Sequence, residues 1–252
     1  MQAAPTSIQA RDRLILAVDT SSIDEARHYL DELHEHVGVF KIGLQLFTRY
    51  GPEILTLFQS ANTRIFLDCK FLDIPNTVAN ACEEATAHGV QMFTIHAGGG
   101  TAMLKAASDA VNSKAAAMEV KPPVVLAVTV LTSISAATLA KELNVGGSVE
   151  EHVLRLAKQC KDNGITGLVA SPEEVVALRK AVGKEMVIVT PGVRPVWSDP
   201  GDQSRFTTPG QAIKNGSDYL VVGRPITKAK DPKEAAAKII GEIEEALSAK
   251  NS

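Results

Sequence analysis

A single-domain α/β fold, the (β/α)8 or TIM barrel, is what the sequence predicts, and three observations predict it. Eight short runs rich in Val, Ile, Leu and Phe recur along the 252 residues, with helical or Ala-rich stretches between them. Most of these runs are continuously apolar rather than alternating, as parallel strands covered on both faces must be. The chain has the size of such a barrel, and no linker, low-complexity block or change of composition divides it. The alternative is an open doubly wound sheet. The eight units, and the lack of G-x-G-x-x-G after the first run, argue against it.

In chain order, the first strand is read near Leu14–Asp19. Ser/Asp capping chemistry then precedes Ala26, Tyr29, Leu30 and Leu33, which predicts a helix over Ser22–Glu35. The second strand lies near Val39–Ile42, the third near Arg64–Cys69 and the fourth near Met92–His96. Gly98-Gly99-Gly100 reads as a flexible lead-in to a helix at Thr101. The fifth and sixth strands, near Val124–Val130 and Gly167–Ala170, flank a helix over Val149–Asn163. That helix carries an apolar stripe at Val153, Leu154, Leu156 and Ala157, and Gly164 ends it. Val187–Thr190 and Tyr219–Val222 complete the strands, and Pro232–Leu247 closes the fold as a helix. Gly192–Pro209, rich in Pro, Gly, Asp and Ser, has no regular assignment. A stretch that long in a compact domain is expected to be a functional loop.

Composition narrows the function. Lys+Arg number 26 against 29 Asp+Glu, a formal net charge of −3, which gives no electrostatic case for nucleic acid or an anionic membrane surface. Aromatic residues are 4%, too few for a base-stacking platform. The longest uncharged apolar run, Val124 to Leu131, is far short of the ~18 residues of a membrane span. The N-terminal MQAAPTSIQARDR has no apolar centre, so no secretory signal is expected. Three cysteines, Cys69, Cys82 and Cys160, with no C-x-x-C, fit reduced thiols in a cytoplasm. Five of the six histidines lie in polar or helical stretches without ligand spacing, so a histidine-based zinc site is not expected.

The informative charges sit at strand ends, which in such a barrel face the site. The first strand ends in Asp19, and the second carries Lys41 within an apolar run. The third reads Asp68-Cys69-Lys70, followed by Phe71-Leu72-Asp73. Residues two apart share a side of a strand, so Asp68 and Lys70 should both face the barrel mouth, ~7 Å apart along it. Leu67 and Cys69 should face the helices. Opposite charges in a barrel mouth are costly to desolvate unless they serve each other or a ligand. A single charge there is as readily a structural cap; four on three neighbouring strands point to a site. A lysine flanked by carboxylates stays protonated, which suits Lys70 to donate a proton rather than form a Schiff base.

A second cluster follows the last two strands: Thr190-Pro191-Gly192-Val193-Arg194, and Val222-Gly223-Arg224-Pro225. Loops in these places often hold phosphate through backbone N–H groups, and arginine binds it bidentately. His96 reads as a hydrogen-bonded structural residue. From the residues alone, the chain is an enzyme acting on a phosphorylated small molecule, with proton transfer at carbon and no metal or organic cofactor.

The chain also resembles the orotidine 5'-phosphate decarboxylase family, from about Arg13 to the final helix. The most specific segment is Asp68-Cys69-Lys70-Phe71-Leu72-Asp73-Ile74-Pro75-Asn76-Thr77, a D-x-K-x-x-D-I-x-x-T pattern. LAVD at Asp19, FKIG at Lys41, FTIHA at His96, VLTS at Val130–Ser133, PGVRP, Asp202-Gln203 and VVGRPI support it, with no departure at a motif position. The resemblance implies conversion of orotidine 5'-monophosphate (OMP) to UMP and CO2 without a cofactor or metal. It implies Lys70 as proton donor to C6, with Asp68 beside the substrate carboxylate. Asp73 and Thr77 would reach the neighbouring subunit's site, so a homodimer with shared sites is expected. Asp19 and Lys41 would hold the ribose hydroxyls, Lys41 also belonging to the charged network, and Thr132 and Ser133 would approach the base. Arg194, Gln203, Gly223 and Arg224 would bind the phosphate, under a closing loop around Gly201–Thr208. Residues 1–11 are expected to be an N-terminal extension and residues 12–250 the barrel.

Two rival readings stand beside this one. A metal-dependent sugar-phosphate decarboxylase or aldolase of the same superfamily shares D-x-K-x-x-D, but carries a glutamate near the end of strand two, where this chain has Lys41. A non-catalytic nucleotide-binding barrel would not be expected to keep Asp68, Lys70 and Asp73 together.

Overall fold

The structure, a computed structural model, describes residues 8–198 and 207–249. Eight parallel strands close into a barrel in sequence order: β1 (Leu14–Val18), β2 (Val39–Gly43), β3 (Arg64–Phe71), β4 (Met92–His96), β5 (Val124–Val128), β6 (Gly167–Val169), β7 (Val187–Thr190) and β8 (Tyr219–Val222). β1 pairs with β8, Leu14 opposite Leu220, and this closes the ring. The TIM barrel expected from sequence is the fold found.

Alternation along the strands sorts side chains into two cores. Ile15, Val39, Phe66, Met92, Leu126 and Val189 point inward and fill the barrel. Leu16, Phe40, Ile42, Ile65, Leu67, Phe93 and Ile188 point outward into a larger core shared with the helices. Burial on both faces is why the strands read as continuous apolar runs. Gly167 meets this packing directly, since a Cβ there would lie 2.6 Å from Leu126 Cδ2.

The helix layer is richer than eight single helices. In order, the described residues carry α1 (Ile23–Leu33), α2 (Leu44–Tyr50), α3 (Glu53–Gln59), α4 (Pro75–Ala87), α5 (Gly100–Ala117), α6 (Ala136–Lys141), α7 (Val149–Asp162), α8 (Val175–Val182), α9 (Pro209–Asn215), α10 (Arg224–Thr227) and α11 (Pro232–Ser248). The units after β2, β5 and β8 each hold two helices. Gly51-Pro52 separates α2 from α3, with Gly51 at φ 60°, a left-handed conformation that suits glycine. The helices read from sequence at Ser22, Val149 and Pro232 start there. Ser22 caps α1 by accepting from Glu25 N, and Ser148 and Glu151 form a reciprocal capping box on α7. The glycine run after β4 is not merely a flexible lead-in: Ala97–Gly99 forms a 3-10 turn and α5 begins at Gly100. No described helix is long and apolar enough to cross a membrane.

Candidate active site

At the C-terminal mouth the inward positions turn from apolar to charged. Lys41 stands one inward step above Val39 on β2, and Asp68 one step above Phe66 on β3. Asp19 follows the end of β1. The Lys41 ammonium lies 3.4 Å from Asp19 Oδ1 and 3.4 Å from Asp68 Oδ2. Lys70 Nζ donates to the other Asp68 oxygen, Oδ1, at 2.8 Å. One carboxylate thus receives an ammonium on each oxygen, and one ammonium bridges two carboxylates.

Exposure grades across this group. The Lys41 and Asp68 side chains are 11% and 15% exposed, Lys70 is 28%, and Asp19 is 69%. Burial alone would raise the Asp68 pKa. The Lys41 and Lys70 ammoniums and the Thr94 hydroxyl outweigh it, so the carboxyl titrates below its ordinary value. Asp68 is therefore a fixed negative charge in a largely dry position. His96, on β4, lies against the same charges; burial, and then the Lys70 ammonium, lower its pKa. Its half-buried ring makes no hydrogen bond to another described residue. Cys69 turns toward the helices as expected, and burial, reinforced by Asp68, pushes its thiol up to about 11.

One geometric expectation fails. Asp68 and Lys70 are not simply neighbours along an alternating strand. The β3–β4 register shifts between Leu67 and Phe71, and Lys70 sits at φ 52°. A bulge of this kind re-aims a side chain, and the Lys70 ammonium comes back onto Asp68 instead of lying a strand step away. Left-handed backbone is disfavoured for a residue with a Cβ, so the conformation is held by its surroundings.

The other expected residues fall into three groups. Gly223 directly follows β8, and a Cβ on it would lie 3.8 Å from Asp19 Oδ2. The β8 loop and the charged cluster therefore share one mouth. Arg224 opens α10 and is exposed, whereas Arg194, after β7, is 6% exposed. Its backbone N–H donates to Thr207 O at 3.0 Å, where Val193 and Thr207 form an isolated bridge. Thr132 and Ser133 are exposed in the turn after β5. Asp73 and Thr77 are exposed around the start of α4, where Asp73 Oδ1 accepts from Ile74 N at 2.7 Å. The cluster of ion pairs does not include Asp73 among the described residues. Gln203, and the Gly201–Thr208 loop up to residue 206, lie outside the described residues.

Two features escaped the sequence reading. Thr94 Oγ1 touches both Asp68 and Lys70; the readable signal was a hydroxyl at an inward position between Met92 and His96. Beside Asp19, Glu25 accepts from the Thr20 and Tyr29 hydroxyls. The Thr20 and Tyr29 hydrogen bonds lower the Glu25 pKa, while burial, and then Glu25 itself, push Tyr29 up to about 12. This network stiffens the turn between β1 and α1.

Known proteins match this arrangement over nearly its whole length. The model of the "Orotidine 5'-phosphate decarboxylase / HUMPS family" matches residues 12–239. An orotidine 5'-phosphate decarboxylase of Syntrophomonas wolfei is 48% identical over 239 residues, covering 94% of this chain and 100% of that protein. One from Syntrophotalea carbinolica is 50% identical over 240 residues, covering 95% and 98%. Among solved structures, the orotidine 5'-phosphate decarboxylase of Lactobacillus acidophilus superposes with a TM-score of 0.81 at 38% identity, covering 91% of this chain and 98% of that one.

Proposed function

Because the chain belongs to the orotidine 5'-phosphate decarboxylase / HUMPS family, we propose that Lys41, Asp68 and Lys70 are its catalytic array and that the loops after β7 and β8 hold the substrate phosphate. The activity is orotidine 5'-phosphate decarboxylation, a lyase reaction of pyrimidine biosynthesis, with OMP as substrate and UMP as product. The observation that carries the assignment of roles is the Lys70 ammonium held 2.8 Å from an Asp68 carboxylate whose second oxygen faces Lys41.

In this reading the C6–carboxylate bond breaks and its electron pair stays on C6. Lys70 Nζ gives its proton to that carbon as CO2 departs, and solvent reprotonates the amine. A positioned ammonium opposes the developing negative charge without having to reorganise, which is the largest kind of catalytic term. Asp68 faces the substrate carboxylate. Lys41 holds Asp68 ionised and, with Asp19, holds the ribose hydroxyls; Thr132 and Ser133 approach the base. Arg194, Gln203, Gly223 and Arg224 bind the phosphate. That group lies far from C6, so its binding energy can be spent on assembling the site. No metal or organic cofactor takes part. Two ammoniums in the cluster oppose a divalent cation, and Lys41 stands where the metal-dependent sister enzymes carry a carboxylate.

Asp73 and Thr77 complete the partner's site in a homodimer. Exposed Leu72 (56%) and Ile74 (68%) on either side of Asp73 support this, since a protein surface patch of that kind seeks a partner. The family match over residues 12–239 supports reading residues 12–250 as the catalytic domain and residues 1–11 as an extension, of which Ala10, 6% exposed, packs into the core. The free thiols of Cys69, Cys82 and Cys160 support a cytoplasmic setting.

The test is OMP turnover, followed by the fall in ultraviolet absorbance, with EDTA present and Lys70→Ala as control. Turnover insensitive to EDTA and lost by about 1,000-fold or more in the variant is expected. No turnover by folded wild type, or wild-type turnover by Lys70→Ala, rejects these roles.

A further inference from the structure

The bulge in β3 leaves a hydrogen-bonding problem that one buried side chain solves. Between the paired positions Leu67–Phe93 and Phe71–Ile95, three residues of β3 (Asp68, Cys69, Lys70) face a single residue of β4, Thr94. Thr94 is 1% exposed. Its Oγ1 lies 2.9 Å from Lys70 N and 3.0 Å from Asp68 Oδ1. The direction of both bonds follows from their chemistry. An amide N–H only donates, so the hydroxyl oxygen accepts from Lys70; a carboxylate only accepts, so the hydroxyl proton goes to Asp68.

We propose that Thr94 is a positioning residue for the decarboxylation, its hydroxyl replacing the missing ladder bond of Lys70 and orienting the Asp68 carboxylate at the same time. The proposal rests on the roles assigned above to Lys70 and Asp68. A part-buried amide released from its ladder needs a partner, and Thr94 supplies it at the residue whose backbone is left-handed. The β-branched side chain has few rotamers to lose. With one hydroxyl, it ties the backbone that aims the proton donor to the carboxylate that accepts the ammonium's hydrogen bond. Thr94 contributes to holding the Asp68 carboxyl below its ordinary pKa, after the two lysines. Since it touches no reacting atom, its removal should act on the chemical step rather than on substrate affinity.

Wild type is compared with Thr94→Ser and Thr94→Val for OMP turnover, and for UMP binding by calorimetry. Thr94→Ser keeps the hydroxyl and should hold kcat within about threefold of wild type. Thr94→Val keeps the shape and loses the hydroxyl. It should lose about 10- to 100-fold in kcat, with KM and the UMP Kd changed far less. A crystal structure of Thr94→Val should show Lys70 out of its left-handed conformation and Nζ drawn away from Asp68 Oδ1. A folded Thr94→Val with wild-type kcat, or with Lys70 and Asp68 unmoved, overturns the proposal. So does Thr94→Ser if its kcat falls as far as that of Thr94→Val; if Thr94→Val does not fold, Thr94→Ala takes its place as the variant without a hydroxyl, with the same loss in kcat expected and a wild-type kcat overturning the proposal. Wild type that binds UMP without turning over OMP would reject the assigned chemistry instead, while the Thr94→Val structure still decides whether the hydroxyl positions Lys70.

Discussion

Lys41 reaches Asp68 diagonally. In the β2–β3 ladder Lys41 is paired with Phe66 and Asp68 with Gly43, yet Lys41 Nζ lies 3.4 Å from Asp68 Oδ2. The lysine stem climbs one inward step, and no side chain on Gly43 obstructs it. Lys41→Met keeps the stem and removes the charge. We expect a loss of about 100-fold or more in kcat/KM and about 1–2 kcal/mol of stability at neutral pH, because Asp68 would keep Lys70 and Thr94 but lose one of two ammoniums. Steady-state kinetics and urea unfolding check both; unchanged kinetics would remove Lys41 from the array.

Asp68 also predicts an acid limb. Its folded pKa lies below the unfolded value of about 3.9. Its contribution to stability is therefore fully present above about pH 4 and disappears as pH falls through the lower folded value. Urea midpoints measured between neutral pH and about pH 3 should fall less steeply for Asp68→Asn than for wild type. Parallel curves would contradict the pairing.

Glu174 has the opposite sign. It is partly buried before α8. Burial, opposed by a hydrogen bond from Ser171 N and reinforced by the Glu173 and Glu150 carboxylates, raises its carboxyl from 4.5 to about 7. The folded state thus pays for ionising it: the cost is absent below pH 4.5, grows from there to about pH 7, and is constant above. Glu174→Gln should stabilise the protein by about 1–2 kcal/mol at pH 8, a figure discounted for the solvent that still reaches the group. The gain should vanish near pH 4. A pH-independent gain would trace it to packing instead.

The proposed sharing of sites between subunits can be read by complementation. Lys70→Ala and Asp73→Ala should each be inactive alone. Co-expressed, they should regain up to about a quarter of wild-type activity, because half of randomly formed dimers are hybrids and each hybrid has one intact site. No recovery from demonstrably hybrid dimers would place Asp73 and Lys70 in the same subunit's site. Separately, Ile74→Asp should yield a monomer by light scattering, with turnover lost.

How much of this was legible along the chain depends on the range of the interaction. The strands could be read because burial on both faces imposes a continuous apolar run, as in Leu14–Val18 and Val124–Val128. Helix starts were legible at Ser22 and Ser148, where side chain and backbone meet within three residues. The charged mouth was legible because barrel topology sends strand ends to one face, and Asp19, Lys41, Asp68 and Lys70 all fall there. Each of these signals is local, or follows from the order of elements.

What the tertiary structure alone decided depends on register. Strand alternation put Asp68 and Lys70 a step apart; the shift opposite Thr94 brought their charged atoms to 2.8 Å. That shift belongs to the pairing of two strands and leaves no period in either one. The diagonal reach of Lys41 and the clamp by Thr94 arise in the same way, and Glu174 titrates high because folding buries it. Residue types and their order along the chain determined the barrel and the chemistry at its mouth. Which oxygen meets which ammonium was settled only when the strands found their register, because hydrogen bonds and ion pairs act over a few ångströms, while register is decided by the packing of the whole sheet.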